Sequence, residues 1–326
     1  MTTLFPPASS SSMMAAFPAA TNKVVLVDTG SSATLGSAVS NTLFSWTGSA
    51  WVENSTATFD QHGPIPTRSN AVFCYDGTNM QLLGGKSANA IPGVVGGQWS
   101  LNTSLVWTKS ALPNASRPPA RFGAAAAYLA GTGMVLFGGA GSGQTPIDDQ
   151  GYWVWSGSAW VLHKVVATGT NLPGARYNHA MAASGSLLLL VGGSTSSQAA
   201  SNAIWSFSSG VWSKVVPIGT APSARFGHRL VWDISQSLFV LIGGNNQSNG
   251  LGPEVWTTAT GSSWTKVAVA NGSFPPNWMS SQACYDAGSG KVLLFGGVSA
   301  ETGQASAETW TFTTATGVFT KLTGSV

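Results

Sequence analysis

The sequence predicts an all-β fold, a six-bladed β-propeller with four antiparallel strands per blade. Three recurring features carry that prediction. A glycine pair follows a short apolar run five times: LLGG (82–85), LFGG (136–139), LVGG (190–193), LIGG (241–244) and LFGG (294–297). An arginine stands 16 to 18 residues before four of these pairs, as Arg68, Arg121, Arg176 and Arg225. After each pair come two aromatic residues seven to nine positions apart: Trp99/Trp107, Trp153/Trp160, Trp205/Trp212, Trp256/Trp264 and Trp310/Phe319. A unit that recurs about every 50 residues marks a propeller or a solenoid.

A sixth, degenerate unit leads the chain, where KVVLV (23–27) is followed by Asp28 and Thr29 instead of glycines, then by Phe44 and Trp51. Ser10 falls at its arginine position, and Trp278 holds that position in the last unit. The units divide the chain, as one domain, into blades over 8–60, 61–115, 116–170, 171–219, 220–272 and 273–326.

Each unit reads as four short strands without helical periodicity. The first is half-apolar and rich in small residues, as in NAVFCY (70–75) and GAAAAY (123–128). The second is continuously apolar, as in KVLLF (291–295), which predicts burial on both faces. The third and fourth carry the aromatic pair and are joined by turns such as SGSA (156–159) and SSG (208–210). Radial repetition of such sheets leaves only short edges exposed. The glycines permit close backbone approach, and a tryptophan in every sheet supplies area for packing between sheets. Because each unit holds its own four strands and the chain ends on GVFTKL (317–322), the ring is expected to close by packing of the last blade on the first. Residues 1–5 could add a further strand.

Composition excludes several classes. Only 8% of the 326 residues are charged while 43% are hydrophobic, which is the opposite of a disordered chain. The net charge of +3 comes from scattered lysines and arginines, so no nucleic-acid partner is predicted. No apolar stretch approaches the roughly 18 residues of a spanning helix, so no membrane insertion is predicted. The N-terminal segment lacks a basic region and carries Pro18 in its apolar part, so no signal peptide is seen. Low charge with abundant Ser, Thr, Gly, Ala and Asn is a composition associated with virion or extracellular surfaces.

The order arginine, small residue or histidine, apolar run, Gly-Gly, tryptophan, second aromatic resembles the kelch repeat, in six copies over nearly the whole chain. The resemblance implies a kelch β-propeller. The long connections after the second and fourth strands, such as 86–98, 140–151, 245–254 and 298–308, make one face loop-rich, and binding usually resides in such loops.

Arg68, Arg121, Arg176 and Arg225 fall at one height in four consecutive blades. Four guanidinium groups at a channel mouth could grip a carboxylate or an acidic sugar; the same groups could instead satisfy backbone carbonyls between blades. His179 and His228 share one repeat position, with Met13, Ala71, Ala124 and Ser281 at the equivalents, and are further candidate ligand contacts at the channel, as a proton-transfer pair or half of a metal site. That set offers no third metal ligand, so no metal and no cofactor is predicted. Cys74 and Cys284 also share a repeat position, too far apart for a disulfide, and are expected to be free, buried thiols.

These features predict a non-catalytic binding or assembly module that presents its loop-rich face to a protein or an acidic glycan, as a single ring or within a homo-oligomer or larger assembly. No catalytic residue is assigned. The alternative is a sugar-modifying enzyme similar to the kelch sialic-acid epimerases, with the arginines holding an acidic sugar and Asp148, Asp149 and Glu254 as the candidate acids.

Overall fold

The computed structural model describes residues 12–17, 23–28, 42–54, 58–59, 65–87, 93–165, 172–246, 254–270, 274–275, 280–298 and 304–322. Six antiparallel sheets stand around a central axis, each with its four strands in chain order from the axis outward. Blade 1 runs through Ser12–Ala16, Val24–Asp28, Thr42–Trp46 and Trp51–Glu53. Blade 2 comprises Val72–Tyr75, Met80–Leu83, Gln98–Leu101 and Val106–Lys109. Blade 3 comprises Ala125–Leu129, Gly133–Phe137, Gly151–Trp155 and Trp160–Lys164. Blade 4 holds Ala180–Ser184, Leu187–Val191, Ile204–Ser208 and Val211–Val215. Blade 5 holds Arg229–Asp233, Leu238–Ile242, Val255–Thr258 and Thr265–Lys266, and blade 6 holds Gln282–Asp286, Lys291–Phe295, Thr309–Thr313 and Val318–Leu322.

The apolar second strands are apolar because both their faces are covered. Successive side chains of a strand point to opposite sides. In blade 4, Leu188 and Leu190 therefore join the core shared with blade 3, while Leu189 and Val191 join the core shared with blade 5. Val24 and Leu26 of blade 1 likewise meet blade 6, and Val25 and Val27 meet blade 2. The hydrophobic core is thus a set of seams between neighbouring blades. The tryptophans of the outer strands fill their periphery, with Trp51, Trp107 and Trp212 exposed by 2% or less.

Inner strands of successive blades lie side by side around the axis, and that of blade 6 lies against that of blade 1. All four strands of the last blade come from residues 282–322, so the ring closes by packing and not by a shared blade. Residues 1–5 and the repeat positions Ser10 and Trp278 lie outside the described residues.

One feature of the connections was not predicted. Chain leaving one blade runs along the outer edge of the next. Thr58–Phe59 pairs in parallel with the outer strand of blade 2, Thr58 opposite Val106 and Phe59 opposite Trp107. Ile218 forms a parallel bridge with Ser263 at the edge of blade 5. Each covered edge loses part of its row of open hydrogen-bonding groups.

Candidate functional site

Arg68, Arg121, Arg176 and Arg225 enter their blades on the segment just before the inner strand, and the structure buries all four at 1%, 1%, 5% and 0% exposure. Their side chains repeat one pattern. Nε donates to the carbonyl two residues earlier, in Pro66, Pro119, Gly174 and Ser223, at 2.9–3.1 Å. Nη1 donates to the carbonyl of the first glycine in the same blade's pair, in Gly84, Gly138, Gly192 and Gly243, at 2.8–2.9 Å. Burial pulls the Arg68 and Arg176 guanidinium groups down to about 10, which leaves them protonated at neutral pH.

The backbone of the same arginine serves the neighbouring blade. The second glycine of each pair donates its N–H to the next arginine's carbonyl: Gly85 to Arg121, Gly139 to Arg176 and Gly193 to Arg225, each at 2.8 Å. The first glycine must lack a side chain because that carbonyl lies against it. A Cβ on Gly84, Gly138 or Gly192 would stand 2.3, 2.4 or 2.6 Å from the oxygen of Arg121, Arg176 or Arg225. Arginine and glycine pair are therefore two halves of one inter-blade joint.

Two residues further along, a second series of bonds links blades 2 to 6 around the channel. Gly123 N–H donates to Asn70, Asn178 to Gly123, Gly227 to Asn178 and Ser280 to Gly227, at 2.7–3.1 Å. All five residues sit at positive φ, between 51° and 67°. That explains why glycine or asparagine occupies four of the five positions, since these residues adopt the left-handed region most readily.

Two of the acids around the arginines, Asp149 and Glu254, are committed to ion pairs. Asp149 takes Arg121 through both oxygens, at 2.6 and 3.0 Å. Glu254 accepts from Arg225 at 2.8 Å, from Lys266 at 2.6 Å and from Trp256 at 3.2 Å. Burial would raise the Glu254 carboxyl, but the hydrogen bonds from Lys266, Arg225 and Trp256 outweigh it and hold the group near 2. Glu308 repeats the arrangement in blade 6, joined to Trp310 and Lys321. Asp148 accepts the backbone N–H of Gln150 at 3.0 Å. Arg176 has no acidic partner among the described residues.

His179 and His228 are 4% and 0% exposed and sit as wedges between blades. The His179 ring lies over Gly138 of blade 3, and its Cβ lies against Gly193 of its own blade; His228 relates in the same way to Gly192 and Gly244. Neither ring nitrogen of either residue has a hydrogen-bond partner. The carbonyls of Phe137 and Val191 approach the rings but miss hydrogen-bond geometry. Burial, with Arg176 and His228 nearby, holds His179 well below the ordinary range. Burial, with Arg225 and Arg229 nearby, brings His228 to about 3. Both are neutral at pH 7. Among the described residues, no three His, Cys, Asp or Glu side chains gather as a metal site.

Both cysteines are free. Cys284 is buried as expected, whereas Cys74 is only half-buried because it faces the wider end of the channel, which Cys284 also lines. Burial, and secondarily Asp76, pushes the Cys74 thiol up to about 12; burial and Asp286 raise Cys284 further, so neither is a thiolate at neutral pH.

Sequence reasoning missed Arg229. It opens the inner strand of blade 5, where Met14, Val72, Ala125, Ala180 and Gln282 stand in the other blades, and it lines the channel. The signal was a charge at the head of a strand type that is otherwise small and apolar.

The chain matches the family model for the KLHDC2/KLHL20/DRC7 Kelch-repeats domain over residues 18–244, more than half its length. It is 26% identical over 240 residues to Acyl-CoA-binding domain-containing protein 4 of Arabidopsis thaliana, covering 72% of this chain and 34% of that protein. The chain thus spans about a third of the length of that curated relative. The solved structure of YjhT superposes with a TM-score of 0.69 at 14% identity, over 98% of this chain and 99% of that one, a likeness of fold. With its repeats, its joints and the family match in agreement, the chain belongs to the kelch-repeat family.

Proposed function

We propose that this propeller is a non-catalytic docking module that holds a protein or an acidic glycan on its loop-rich face, as a component of a virion or an extracellular surface. Kelch propellers generally bind proteins, which sets the class of function. One observation carries the non-catalytic part. The ionisable groups at the arginine joints are already employed inside the ring: Arg121 with Asp149, Arg225 with Glu254, and every Nε and Nη1 on a carbonyl. A proton shuttle needs a group poised near the working pH, whereas Glu254 is held near 2 and His228 near 3. In this reading the arginines fix the bases of the connections, and the connections meet the partner.

The test is a binding screen against a sulfated oligosaccharide and an acidic peptide, with residues 141–145 replaced by glycine and serine at equal length. Binding that the loop replacement abolishes, at unchanged thermal stability, supports docking through the loops. Binding indifferent to the loops, or turnover of an acidic sugar, contradicts it.

Self-association is a second reading with its own observation. Val211 and Val216, at the outer edge of blade 4, and Ile218, where the chain crosses to the edge of blade 5, are 59%, 76% and 76% exposed. Sedimentation of the protein and of Val216→Ser/Ile218→Ser tests whether that strip joins copies of the ring.

A further inference from the structure

The central channel contains two cavities of about 160 and 260 Å³. They share Met14, Phe73, Ala126, Leu230 and Ala283 among their lining residues and so form consecutive segments of one passage. Most lining side chains are alanine, methionine and other apolar residues, although the surface open to the narrower segment is mostly polar and that of the wider one about half polar. The narrower segment carries a single charge, the guanidinium of Arg229, and no acid lines either segment.

Arg229 differs from the four joint arginines in having neither a hydrogen bond nor an ion pair among the described residues, and it keeps a partial opening to the channel space. Enclosure lowers it to about 10, so it stays cationic at neutral pH. A half-buried cation with no counter-charge keeps its N–H donors free to take an anion. A second group points the same way. His179 lines the same segment, is 4% exposed, and has both ring nitrogens unpartnered. A neutral imidazole offers one N–H donor.

We propose that the channel binds a small organic monocarboxylate: Arg229 takes the carboxylate through two parallel N–H bonds, His179 adds a third donor, and the apolar body extends along the alanine- and methionine-lined passage. A cavity of about 150 Å³ is large enough for benzene. The two segments therefore suit an aryl or short alkyl body, of the size of benzoate or hexanoate. Aspartate or succinate would bring a second carboxylate to a passage whose lining holds no second cation. The site lies in the channel at the end of the inner strands nearer the loop-rich face, but no residue of 141–145 lines it, so the loop replacement and the Arg229 variants test docking and channel binding separately.

Methyl-labelled methionine NMR reads the site directly, because Met13, Met14 and Met181 line it. Titration with benzoate at millimolar concentrations should shift those methyl signals saturably, while benzyl alcohol, the neutral analogue, should bind on the order of ten- to a hundredfold more weakly. Arg229→Gln should weaken benzoate by a similar factor and leave benzyl alcohol unchanged. If Arg229→Gln does not fold, Arg229→Lys supplies the answer: it keeps the charge without the planar fork and should weaken benzoate roughly tenfold. Silent methionine signals, equal binding of benzoate and benzyl alcohol, or undiminished benzoate binding by whichever Arg229 variant folds would overturn the proposal.

Discussion

The indole N–H of Trp46, in the first blade, donates to the carboxylate of Asp286, in the last, at 3.1 Å. Beside it Trp51 donates to Thr309 at 2.9 Å. An internal seam is built identically: Trp155 donates to Asp76 at 2.8 Å and Trp160 to Gln98 at 2.8 Å, from blade 3 to blade 2. The ends of the chain therefore meet through a seam of the ordinary kind. Where a blade lacks that tryptophan the acid goes short. Blade 6 has Phe312, which has no N–H to give, at the position of Trp46 and Trp155, and Asp233 Oδ2 in blade 5 is buried without a partner.

If the closing seam carries load like an internal one, Trp46→Phe and Trp155→Phe should each cost about 2 kcal/mol, the worth of a hydrogen bond to a buried charge. Urea unfolding of the two variants checks this. A near-neutral Trp46→Phe beside a costly Trp155→Phe would mean that the closing seam contributes little.

The glycine pairs give a steric prediction. A methyl on Gly192 would meet the Arg225 carbonyl at 2.6 Å and the His228 ring at 2.8 Å, at a φ of +64°. Gly192→Ala should lose several kcal/mol or fail to accumulate as soluble protein. Gly141, with nothing within 4 Å of its added Cβ, should accept alanine within about 0.5 kcal/mol. Soluble yield and thermal midpoint of the two variants decide the matter.

The buried histidines set a pH dependence. Their folded pKa values lie below the ordinary 6.5, His228 at about 3 and His179 well below 6.5. Below pH 6.5 the unfolded chain therefore binds protons that the folded ring refuses. Stability is fully present above pH 6.5 and declines as pH falls toward 3, by about 2 kcal/mol from His228 at pH 5, with His179 acting in the same direction. Thermal midpoints between pH 7 and 5 should drop steeply, and His179→Gln/His228→Gln should flatten the profile even though it starts lower. An unchanged slope in the double variant would refute this origin.

Much of the ring was legible in the sequence, for a physical reason: every blade meets the same packing problem. A strand covered on both faces must be apolar throughout, as Leu187–Val191 is, and a carbonyl pressed against the chain demands glycine, as at Gly138. The arginines were legible as a repeated element, while the use of their donors was not, because spacing does not reveal where a guanidinium turns. Asn70, Asn178 and Ser280 passed unnoticed since their role belongs to backbone φ and not to side-chain type. Arg229 stood out only once the inner strands were aligned around the channel.

The central claim is that the kelch arginines are joints of the ring. The most direct measurement is the thermal midpoint of Arg121→Ala/Arg176→Ala, with exposed Lys214→Ala as control, alongside binding of the sulfated oligosaccharide and acidic peptide. Removing two buried cations and the partner of Asp149 should lower the midpoint on the order of 10 °C, with the control unmoved. A double variant that melts with the parent protein yet no longer binds either probe would contradict the account and make those arginines ligand contacts.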